Sequence, residues 1–359
     1  MRILLLTRYG PLGASSRVRA YQYLPYLQSR GLEITTAPLL GDYYQHDLYA
    51  GRRRRWGRIA GAYLRRFLQL AGSRSFDLLW IEYELFPWFP AFAERLLAGS
   101  QIPFAVDYDD AVYHRYGLHR SRIVRRILGS KIDVIMRKAT LVMVGNGYLQ
   151  ERARAAGARW IEYLPTVVDL ERYRTDPPRR GGTFTLGWIG SPSTVRYLSS
   201  IAPVLSEFCK TRDARLLVVG ARDGPLERVP VEFRPWTEQT EVAEILGFDV
   251  GLMPLPDEPW ERGKCGYKLI QYMACARPVI ASPVGVNAQI VDHGVNGFLA
   301  RTPEEWRSAL ERLSSIPELG LRLGEEGRRT VEAGYSMKVS APRLADMLIG
   351  AAQAKGARN

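Results

Sequence analysis

The sequence has few cysteines and no long apolar run. Its three cysteines, Cys209, Cys265 and Cys275, cannot all pair and show no metal-binding spacing. This cysteine usage is typical of a reducing compartment. The apolar run in residues 1–10 is too short for a secretory signal, and no segment approaches the length that spans a bilayer. We therefore expect a cytoplasmic protein whose membrane association, if any, is peripheral and on the inner face.

The sequence also lacks the three-glycine fingerprint of a dinucleotide site. Gly10 and Gly13 lie in the loop after the first predicted strand, Ile3–Thr7, but they do not have the required spacing. An NAD site is therefore disfavoured. Repeats and low-complexity tracts are absent apart from one basic run. What the chain does contain is short apolar runs alternating with helical periodicity in both halves, which predicts an α/β protein with two Rossmann-like β/α/β domains.

Positive charge is concentrated in the first half of the chain. The whole sequence of 359 residues carries 50 Lys and Arg against 37 Asp and Glu. Residues 1–180 hold 29 of the basic and 16 of the acidic residues, whereas residues 181–359 hold 21 of each. The length suggests two domains, and this asymmetry indicates that they have different partners. We expect the first domain to bind an anionic partner.

Residues 248–300 contain the most informative pattern. An apolar run at 250–253 predicts a buried strand, and a loop with Gly263, Lys264 and Gly266 follows it. Helical spacing continues to Ala276 and stops before Pro278, because proline cannot continue a helix. A loop that ends at a helix start offers free N–H groups to a phosphate, and Lys264 and Lys268 add positive charge. The alternative is an ordinary helix cap with two solvated lysines.

The residues YMACARPVIA at 272–281 resemble the donor-binding signature of the retaining GT-B glycosyltransferases of family 4, also called group 1. The chain departs from that signature at its two glutamates, where Gly263 and Gln271 stand, and at Ala276, where glycine is usual. The resemblance implies the GT-B architecture, in which two Rossmann-like domains face an interdomain cleft. It also implies a nucleotide-sugar donor, retention at the anomeric carbon and no requirement for a metal or other cofactor.

The same resemblance implies three domain ranges. We expect an acceptor-binding domain over residues 1–175, which ends in the Pro-, Arg- and Gly-rich stretch 173–182. A donor-binding domain should cover residues 176–335. Tyr335-Ser336 should introduce a C-terminal helix, residues 336–359, that crosses back to the first domain.

Site residues follow from the resemblance and from the ends of predicted strands. The catalytic candidates are Lys264, Lys268, Asp109 and His114. The donor-binding candidates are Gly190, Ser191, Ser193, Arg196, Trp236, Gly263, Gly266, Tyr267 and Gln271. The candidates for the acceptor or phosphate side are Gly13, Ser16, Arg17, Arg19 and Asp110, with a solvated helix turn as the alternative for the two arginines. Asp107-Tyr108-Asp109 forms a D-x-D, which ligates a metal in GT-A enzymes; the GT-B resemblance argues against that role.

Residues 51–72 combine an apolar stripe with seven arginines between positions 52 and 66. The stripe contains Trp56, Ile59, Ala60, Tyr63, Leu64, Phe67 and Leu68. A basic amphipathic helix of this kind suits an anionic membrane surface. Two alternatives stay open, both less favoured than the membrane surface: the stripe is a core face with solubilising arginines, or the basic residues bind nucleic acid.

The sequence therefore predicts a glycosyltransferase that acts on a glycan or a lipid-linked, membrane-associated acceptor in polysaccharide or glycolipid synthesis. Three alternatives remain: a sugar-nucleotide epimerase of the same architecture, a catalytically silent scaffold that the changes at Gly263 and Gln271 would produce, and a protein that binds an anionic polymer such as nucleic acid. Turnover of donor without acceptor distinguishes the first, nucleotide binding without turnover the second, and a gel shift at physiological salt the third.

Overall fold

The computed structural model describes residues 1–49, 52–53, 55–100, 102–176 and 181–354. Internal contacts divide the chain into two compact units. Unit 1 contains Met1–Thr166 and the residues from Ser340 onward, and unit 2 contains Val167–Val339. Each unit is built around its own parallel sheet.

Unit 1 has a parallel sheet of six strands among its described residues, in the order β2-β1-β3-β4-β5-β6. The strands are β1 (Arg2–Leu6), β2 (Glu33–Thr36), β3 (Leu78–Glu82), β4 (Phe104–Tyr108), β5 (Leu141–Val144) and β6 (Ile161–Tyr163). The register pairs Ile3 with Leu78 and Leu79 with Phe104. Every residue of β3, β4 and β5 is buried, as expected for strands that are covered on both faces.

Helices flank the sheet of unit 1. They are α1 (Ala14–Arg19), α2 (Leu24–Ser29), α3 (Asp42–Tyr49), α4 (Trp56–Ala71), α5 (Phe92–Gly99), α6 (Tyr113–Gly117), α7 (Arg122–Leu128), α8 (Lys131–Lys138) and α9 (Gly147–Ala155). Short 3-10 helices cover Tyr21–Tyr23 and Ser73–Ser75. Pro25 lies in the first turn of α2, where its missing N–H costs no hydrogen bond.

Unit 2 repeats the architecture. Its six described strands are β7 (Phe184–Ile189), β8 (Ala214–Val219), β9 (Val231–Arg234), β10 (Val250–Met253), β11 (Val279–Ala281) and β12 (Phe298–Leu299). Their order is β12-β11-β10-β7-β8-β9, and all pairs are parallel. The helices are α10 (Ala202–Thr211), α11 (Glu241–Leu246), α12 (Pro259–Arg262), α13 (Tyr267–Ala274), α14 (Asn287–Ile290), α15 (Pro303–Ser315) and α16 (Pro317–Gly334), with a 3-10 helix at Val195–Ser200.

Helix α13 packs directly on β10, and a glycine makes the close approach possible. A Cβ atom at Gly251 would collide with the ring of Tyr272. Tyr272 is fully buried, its hydroxyl accepts a hydrogen bond from the N–H of Ile189 at 3.0 Å, and its ring lies edge-on to Phe248. These contacts fix α13 across the middle of the sheet and so fix the direction of the residues that precede it.

The last helix, α17 (Met337–Gln353), returns to unit 1 from Ser340 onward. The first division of the chain lies at Thr166, earlier than the residue 175 that the composition suggested. Residues 167–176 group with unit 2 because their backbone pairs there: the N–H of Val168 donates to Tyr335 O at 3.1 Å, and Met337 N–H donates to Val168 O at 2.9 Å. Tyr173 is also part of the core of unit 2. Residues 177–180 of the predicted boundary stretch 173–182 lie outside the described residues.

Helix α4 lies within the basic segment 51–72, of which residues 51 and 54 are outside the described residues. Its buried residues are Ala62 and Arg66, not the apolar stripe. The Arg66 guanidinium donates to Thr7 O at 2.7 Å and to Ala37 O at 2.9 Å. Trp56, Leu64, Phe67 and Leu68 are each more than half exposed. The interpretation of the whole stripe as a core face is therefore wrong, and so is the expectation that Arg66 is solvated.

Within the described parts of the chain, no helix has both the length and the apolarity that a bilayer span requires.

Candidate functional site

The strand order of unit 2 reverses between β7 and β10. The chain runs outward through β8 and β9 on one side and through β11 and β12 on the other. At such a reversal the loops that leave two adjacent strands separate, and ligands of open parallel sheets bind in the crevice between them. Here those loops are residues 190–196 after β7 and residues 254–266 after β10. They contain most of the residues predicted to bind the donor.

Gly190 and Lys268 meet at this crevice. The Lys268 ammonium lies 5.3 Å from the centroid of the Trp188 ring, within cation–π range. A Cβ atom at Gly190 would lie 2.8 Å from Lys268 Cε and 2.5 Å from Trp188 Cη2. Glycine at 190 therefore leaves the space in which the lysine side chain crosses the end of β7, and it keeps the backbone of this loop accessible to a ligand.

The hydroxyl groups that follow Gly190 form a small cluster. Ser191 Oγ lies 2.9 Å from Ser193 Oγ and 3.3 Å from Thr194 Oγ1. Ser193 and Arg196 are exposed, and Ser191 is half-buried. The residues next in sequence form the 3-10 helix Val195–Ser200. Oxygen acceptors of a phosphate group would find hydroxyl and N–H donors here.

Glu261 links the two loops. Its Oε1 accepts a hydrogen bond of 2.5 Å from the Tyr197 hydroxyl, and the Arg196 guanidinium lies 3.9 Å from the same oxygen. Burial and the bond to Glu261 raise the pKa of Tyr197 above its ordinary value. The link fixes the positions of the residues that follow β7 relative to those that precede α13.

Gly266 is the residue that turns the chain into α13. It has φ +67°, in the left-handed region, and an added Cβ would also collide with Ile290. Gly263 and Gly266 are buried, whereas Lys264, Tyr267 and Lys268 are half-buried. The turn therefore brings two lysines and the positive end of a helix to the same end of the sheet.

A buried hydrogen-bond network connects Gln271 with Trp236. Gln271 is 3% exposed, and its amide donates to the Tyr173 hydroxyl at 3.1 Å. The Tyr173 hydroxyl in turn donates to Glu241 Oε1 at 2.5 Å, and Trp236 Nε1 donates to Glu241 Oε2 at 2.6 Å. Burial raises the pKa of Tyr173 well above its ordinary value, so its hydroxyl stays protonated. Trp236 is half-buried beside Gly220, which lies against Gly190.

Unit 1 has its own reversal, between β1 and β3. Residues after β1, β3 and β4 meet there. Ser16 Oγ donates to Glu82 Oε2 at 2.6 Å, and Ser15 Oγ donates to Asp109 Oδ2 at 2.8 Å. The Tyr83 hydroxyl also contacts Asp109. Burial raises the pKa of Glu82 to about 7, against the opposing hydrogen bonds from Ser16 and from the Arg8 N–H. Gly13 begins α1 at this edge.

Arg19 is placed differently from the prediction. The residue is 1% exposed, and its guanidinium contacts both oxygens of Asp107 at 2.5 and 3.0 Å. A further N–H donates to Leu164 O at 2.7 Å. We therefore assign Arg19 to the core of unit 1 rather than to an acceptor or phosphate contact. Arg17 is buried as well, at 8% exposure, so the solvated turn considered for both residues is wrong.

The D-x-D residues do not act as a pair. The Asp107 carboxylate is engaged with Arg19, whereas Asp109 faces Ser15 and Tyr83. Asp109 and Asp110 are half-buried just beyond the end of β4. His114, in α6, has its Nε2 2.9 Å from the Tyr148 hydroxyl. Burial, aided by the Arg152 charge, lowers the pKa of His114, which keeps its imidazole neutral at pH 7.

Several polar residues of these sites were not among the predicted ones, and four of them connect other site residues: Glu82, Tyr173, Glu241 and Glu261. Glu82 could have been predicted, because it is an acidic residue at the carboxyl end of a strand, which is the criterion that selected Asp109. The other three had no such signal. Their importance depends on partners up to 98 residues away in the sequence, as for Tyr173 and Gln271.

Solved structures of known proteins share the fold of this chain. Sucrose-phosphate synthase from Thermosynechococcus elongatus superposes on this chain with a TM-score of 0.75 at 15% identity, covering 99% of this chain and 100% of that one. Anabaena HepE in complex with UDP-glucose gives a TM-score of 0.72 at 16% identity, over 98% and 100% of the chains. The fold is therefore GT-B, as predicted.

A family model matches part of the sequence. Residues 183–315, all within unit 2, match the family model described as "Glycosyl transferases group 1". This range contains residues 248–300, so the resemblance seen there is confirmed.

Two named relatives are 28% identical to parts of this chain. The chain is 28% identical over 258 residues to the GDP-mannose-dependent alpha-(1-6)-phosphatidylinositol monomannoside mannosyltransferase of Mycobacterium tuberculosis. That alignment covers 64% of this chain and 65% of the relative, slightly less than two thirds of its length. The alpha-D-kanosaminyltransferase of Streptomyces kanamyceticus is 28% identical over 188 residues, covering 49% of this chain and 46% of that protein.

Proposed function

We propose that the protein is a glycosyltransferase that moves a sugar from a nucleoside-diphosphate sugar to an acceptor. Unit 2 binds the donor, and unit 1 binds the acceptor. The observation that carries the proposal is the meeting of Gly190 with Lys268 where the strand order of unit 2 reverses, inside the range that matches the family. The two relatives support it, because one is named a mannosyltransferase and the other a kanosaminyltransferase.

The chemical task of unit 2 is to stabilise a departing diphosphate. Lys264, Lys268 and Arg196 supply positive charge, and the hydroxyl groups of Ser191 and Ser193 supply hydrogen bonds. Such preorganised groups act most strongly where charge develops in the transition state. Because the chain itself brings these cations to the loop ends, the proposed reaction requires no metal ion. We further propose that the anomeric configuration is retained.

The nucleoside and sugar of the donor are assigned to the other side of the same crevice. Trp236 offers a half-buried aromatic face to the base. Gln271 and Tyr267 are assigned to the ribose, and Gly263 and Gly266 to the backbone turn that admits the donor. Gln271 is already bonded to Tyr173, so its remaining carbonyl oxygen is the group we assign to the ligand. One relative uses GDP-mannose and the HepE complex contains UDP-glucose, so the nucleotide is a question for the test below.

Unit 1 is assigned to the acceptor. Asp109, Asp110 and the neutral His114 follow β4, and Ser16 with Gly13 follows β1. Carboxylate and hydroxyl groups at the carboxyl ends of strands suit hydrogen bonding to a glycan or to the head group of a lipid-linked acceptor.

Donor turnover tests this function. The purified protein should be warmed with UDP, GDP and ADP in a thermal-shift screen, and then incubated with the matching nucleotide sugar. We expect nucleotide release that depends on acceptor and continues in excess EDTA. Complete loss with EDTA, restored by Mn²⁺ or Mg²⁺, would contradict the metal-independent mechanism. Conversion of the donor without acceptor would instead identify an epimerase, and nucleotide binding without any turnover a silent scaffold.

We also propose that α4 binds an anionic membrane surface, which would make the protein peripheral on the inner membrane face. The helix exposes Trp56, Leu64, Phe67 and Leu68, and the arginines before and within it are exposed at positions 52, 53, 55, 58 and 65. This combination of exposed apolar and basic groups is typical of helices that lie in a lipid interface. A lipid-linked acceptor would be found at such a surface.

Vesicle binding tests the role of α4. The protein should co-sediment with phosphatidylglycerol vesicles at low salt and be released at high salt. Replacing Arg52, Arg53, Arg55 and Arg58 together by glutamine should weaken binding by up to about 10³-fold, because each basic residue near such a surface contributes about 1 kcal/mol. The matched control is Arg322→Gln on the exposed side of α16. Equal binding by the wild type and the four-residue variant would contradict the proposal.

A further inference from the structure

The segment between β3 and α5 exposes aromatic side chains. We call residues 85–91, with the sequence LFPWFPA, the aromatic loop. Trp88 is 48% exposed and Phe89 is 49% exposed, and Phe92 at the start of α5 is 43% exposed. Large aromatic residues next to one another on the surface of a soluble domain mark an interaction site more often than isolated ones do.

The backbone of the aromatic loop is held by side chains from four helices. Tyr63 of α4 donates to Pro87 O at 3.0 Å, and Lys131 of α8 donates to Phe86 O at 2.6 Å. The hydroxyl of Tyr116 in α6 accepts from the N–H of Trp88 at 3.1 Å, and Glu94 of α5 accepts from the N–H of Leu85 at 2.9 Å. Four consecutive residues, 85–88, are therefore each held by a side chain from a different helix.

Most of the side chains that hold the aromatic loop are themselves buried. Lys131 pairs with Glu84 at 2.6 Å, and Tyr116 donates to the same carboxylate. Tyr116, Lys131, Glu84 and Glu94 are each no more than 3% exposed. Burying charges is costly even when they are paired. Unit 1 therefore buries polar and charged side chains at a cost in free energy of folding. These side chains hold the backbone of a loop whose aromatic rings are exposed.

The backbone of Trp88 is also strained. It has φ +67°, in the left-handed region that bulky side chains rarely adopt. Strained residues persist where surrounding contacts fix them, and they are concentrated at functional sites. Here the N–H of Trp88 is fixed by Tyr116, and its ring lies edge-on to Tyr116 and to His119. The indole is thus held in a single exposed position.

The surface around the aromatic loop is apolar and basic. Phe89 contacts Tyr63 of α4, one turn from the exposed Phe67, and Trp88 contacts His119, next to the exposed Leu118. Ile123 and Ile127 of α7 are 70% and 56% exposed. Residues 111–132 contain five arginines and no Asp or Glu. An acidic protein surface would satisfy the arginines alone, whereas an anionic bilayer satisfies both the arginines and the exposed apolar side chains.

We propose that the aromatic loop is a wedge that inserts Trp88 and Phe89 into the interfacial region of an anionic lipid bilayer. Tryptophan and phenylalanine are the side chains that this region accepts most readily, and the arginines of α7 contact the lipid head groups. The proposal rests on the membrane association of α4 proposed above and extends it, because α4 supplies attraction to the surface and the wedge supplies insertion. A rigid loop inserts without losing the conformational freedom that a flexible one would lose.

Tryptophan quenching tests the wedge in the full-length protein. Vesicles of phosphatidylcholine and phosphatidylglycerol would carry bromine on their acyl chains, close to the head groups. The measurement uses a Trp56→Phe background, because Trp56 of α4 is also exposed and would contribute its own quenching. The bound protein should be quenched in that background, and adding Trp88→Tyr should remove most of the quenching. The double variant Trp88→Ser, Phe89→Ser should bind roughly 10-fold more weakly while keeping its salt dependence. Val295→Ser, an exposed apolar position of unit 2, should change neither readout.

Four other results would overturn the wedge, and they separate its failure from that of α4. If wild-type protein binds vesicles but Trp88 is not quenched, the wedge is wrong and membrane association stands. Unchanged binding by the double serine variant, with thermal melting like that of the wild type, has the same meaning. If the wild type does not bind these vesicles at all, both proposals fail. If it instead forms a dimer that the double variant abolishes, the aromatic loop contacts a second copy of the chain.

Discussion

Replacement of Lys268 by alanine is expected to lower kcat by about 10²–10³-fold and to leave the fold intact. The magnitude is that of removing one preorganised group that stabilises developing charge. Lys268 is half-buried at the end of the crevice, between the Trp188 ring and Gly190, where the field of its ammonium is weakly screened. Its loss should act mainly on kcat, because the diphosphate gains negative charge as the sugar leaves.

Two controls accompany this variant. Lys210→Ala removes an exposed lysine on α10 of the same unit and should leave turnover unchanged. Lys268→Arg keeps the charge but not the compact shape, and should retain part of the activity. Circular dichroism melting should be the same for all three. If the alanine variant released nucleotide as fast as the wild type, Lys268 would have no part in the mechanism.

Asp107→Ala is expected to destabilise unit 1 by about 3–5 kcal/mol, because it leaves the buried Arg19 guanidinium without its counter-ion. Both side chains are 2% exposed, so water cannot replace the lost partner. Urea unfolding followed by circular dichroism would measure the change. The variant should lower the free energy of unfolding more than it lowers the activity of the folded protein. The reason is that Asp107 is proposed to hold β4 and α1 together and not to bind a ligand.

The double variant Asp107→Leu, Arg19→Met should recover much of this loss, because replacing both members of a buried pair by apolar groups is often nearly neutral. Asp133→Ala breaks a partly exposed ion pair with Arg152 in the same unit and should cost about 1 kcal/mol or less. If Asp107→Ala kept full stability and lost activity that Mn²⁺ restored, the D-x-D would be a metal site after all.

The fold could be predicted because its signals are local. The apolar runs at 3–7, 104–107 and 250–253 overlap strands β1, β4 and β10. The glycines and the proline within 263–278 mark the loop before α13 and the end of that helix. Parallel strands alternating with helices then permit few topologies. The resemblance at 272–281 supplied the family, which no periodicity could give.

Part of the site could not be predicted, because burial depends on residues distant in the sequence. Nothing local separates Arg19, buried against Asp107 88 residues away, from an arginine that meets a phosphate. The same holds for Arg66, which donates to the carbonyl oxygens of the residues that directly follow β1 and β2. Conversely, the apolar stripe of α4 has the periodicity of a core face, and only the structure shows that Leu64 and Phe67 point outward.

The aromatic loop was missed for a related reason. A run such as LFPWFPA suggests burial by composition, and Leu85 and Phe86 are indeed buried. The exposure of Trp88 and Phe89 results from hydrogen bonds to four helices and from a left-handed backbone at Trp88, neither of which the residue types indicate. Helix periodicity gives no guidance in a loop of this kind.

A crystal structure with the nucleoside diphosphate of the donor bound would test the central claim most directly. The account predicts that the two phosphates lie between residues 190–196 and residues 263–271, with Lys268 and the hydroxyl of Ser191 or Ser193 within hydrogen-bond distance and no metal ion bridging them. A nucleotide bound elsewhere on unit 2, or one held through a divalent cation at the Asp109 carboxylate, would contradict it.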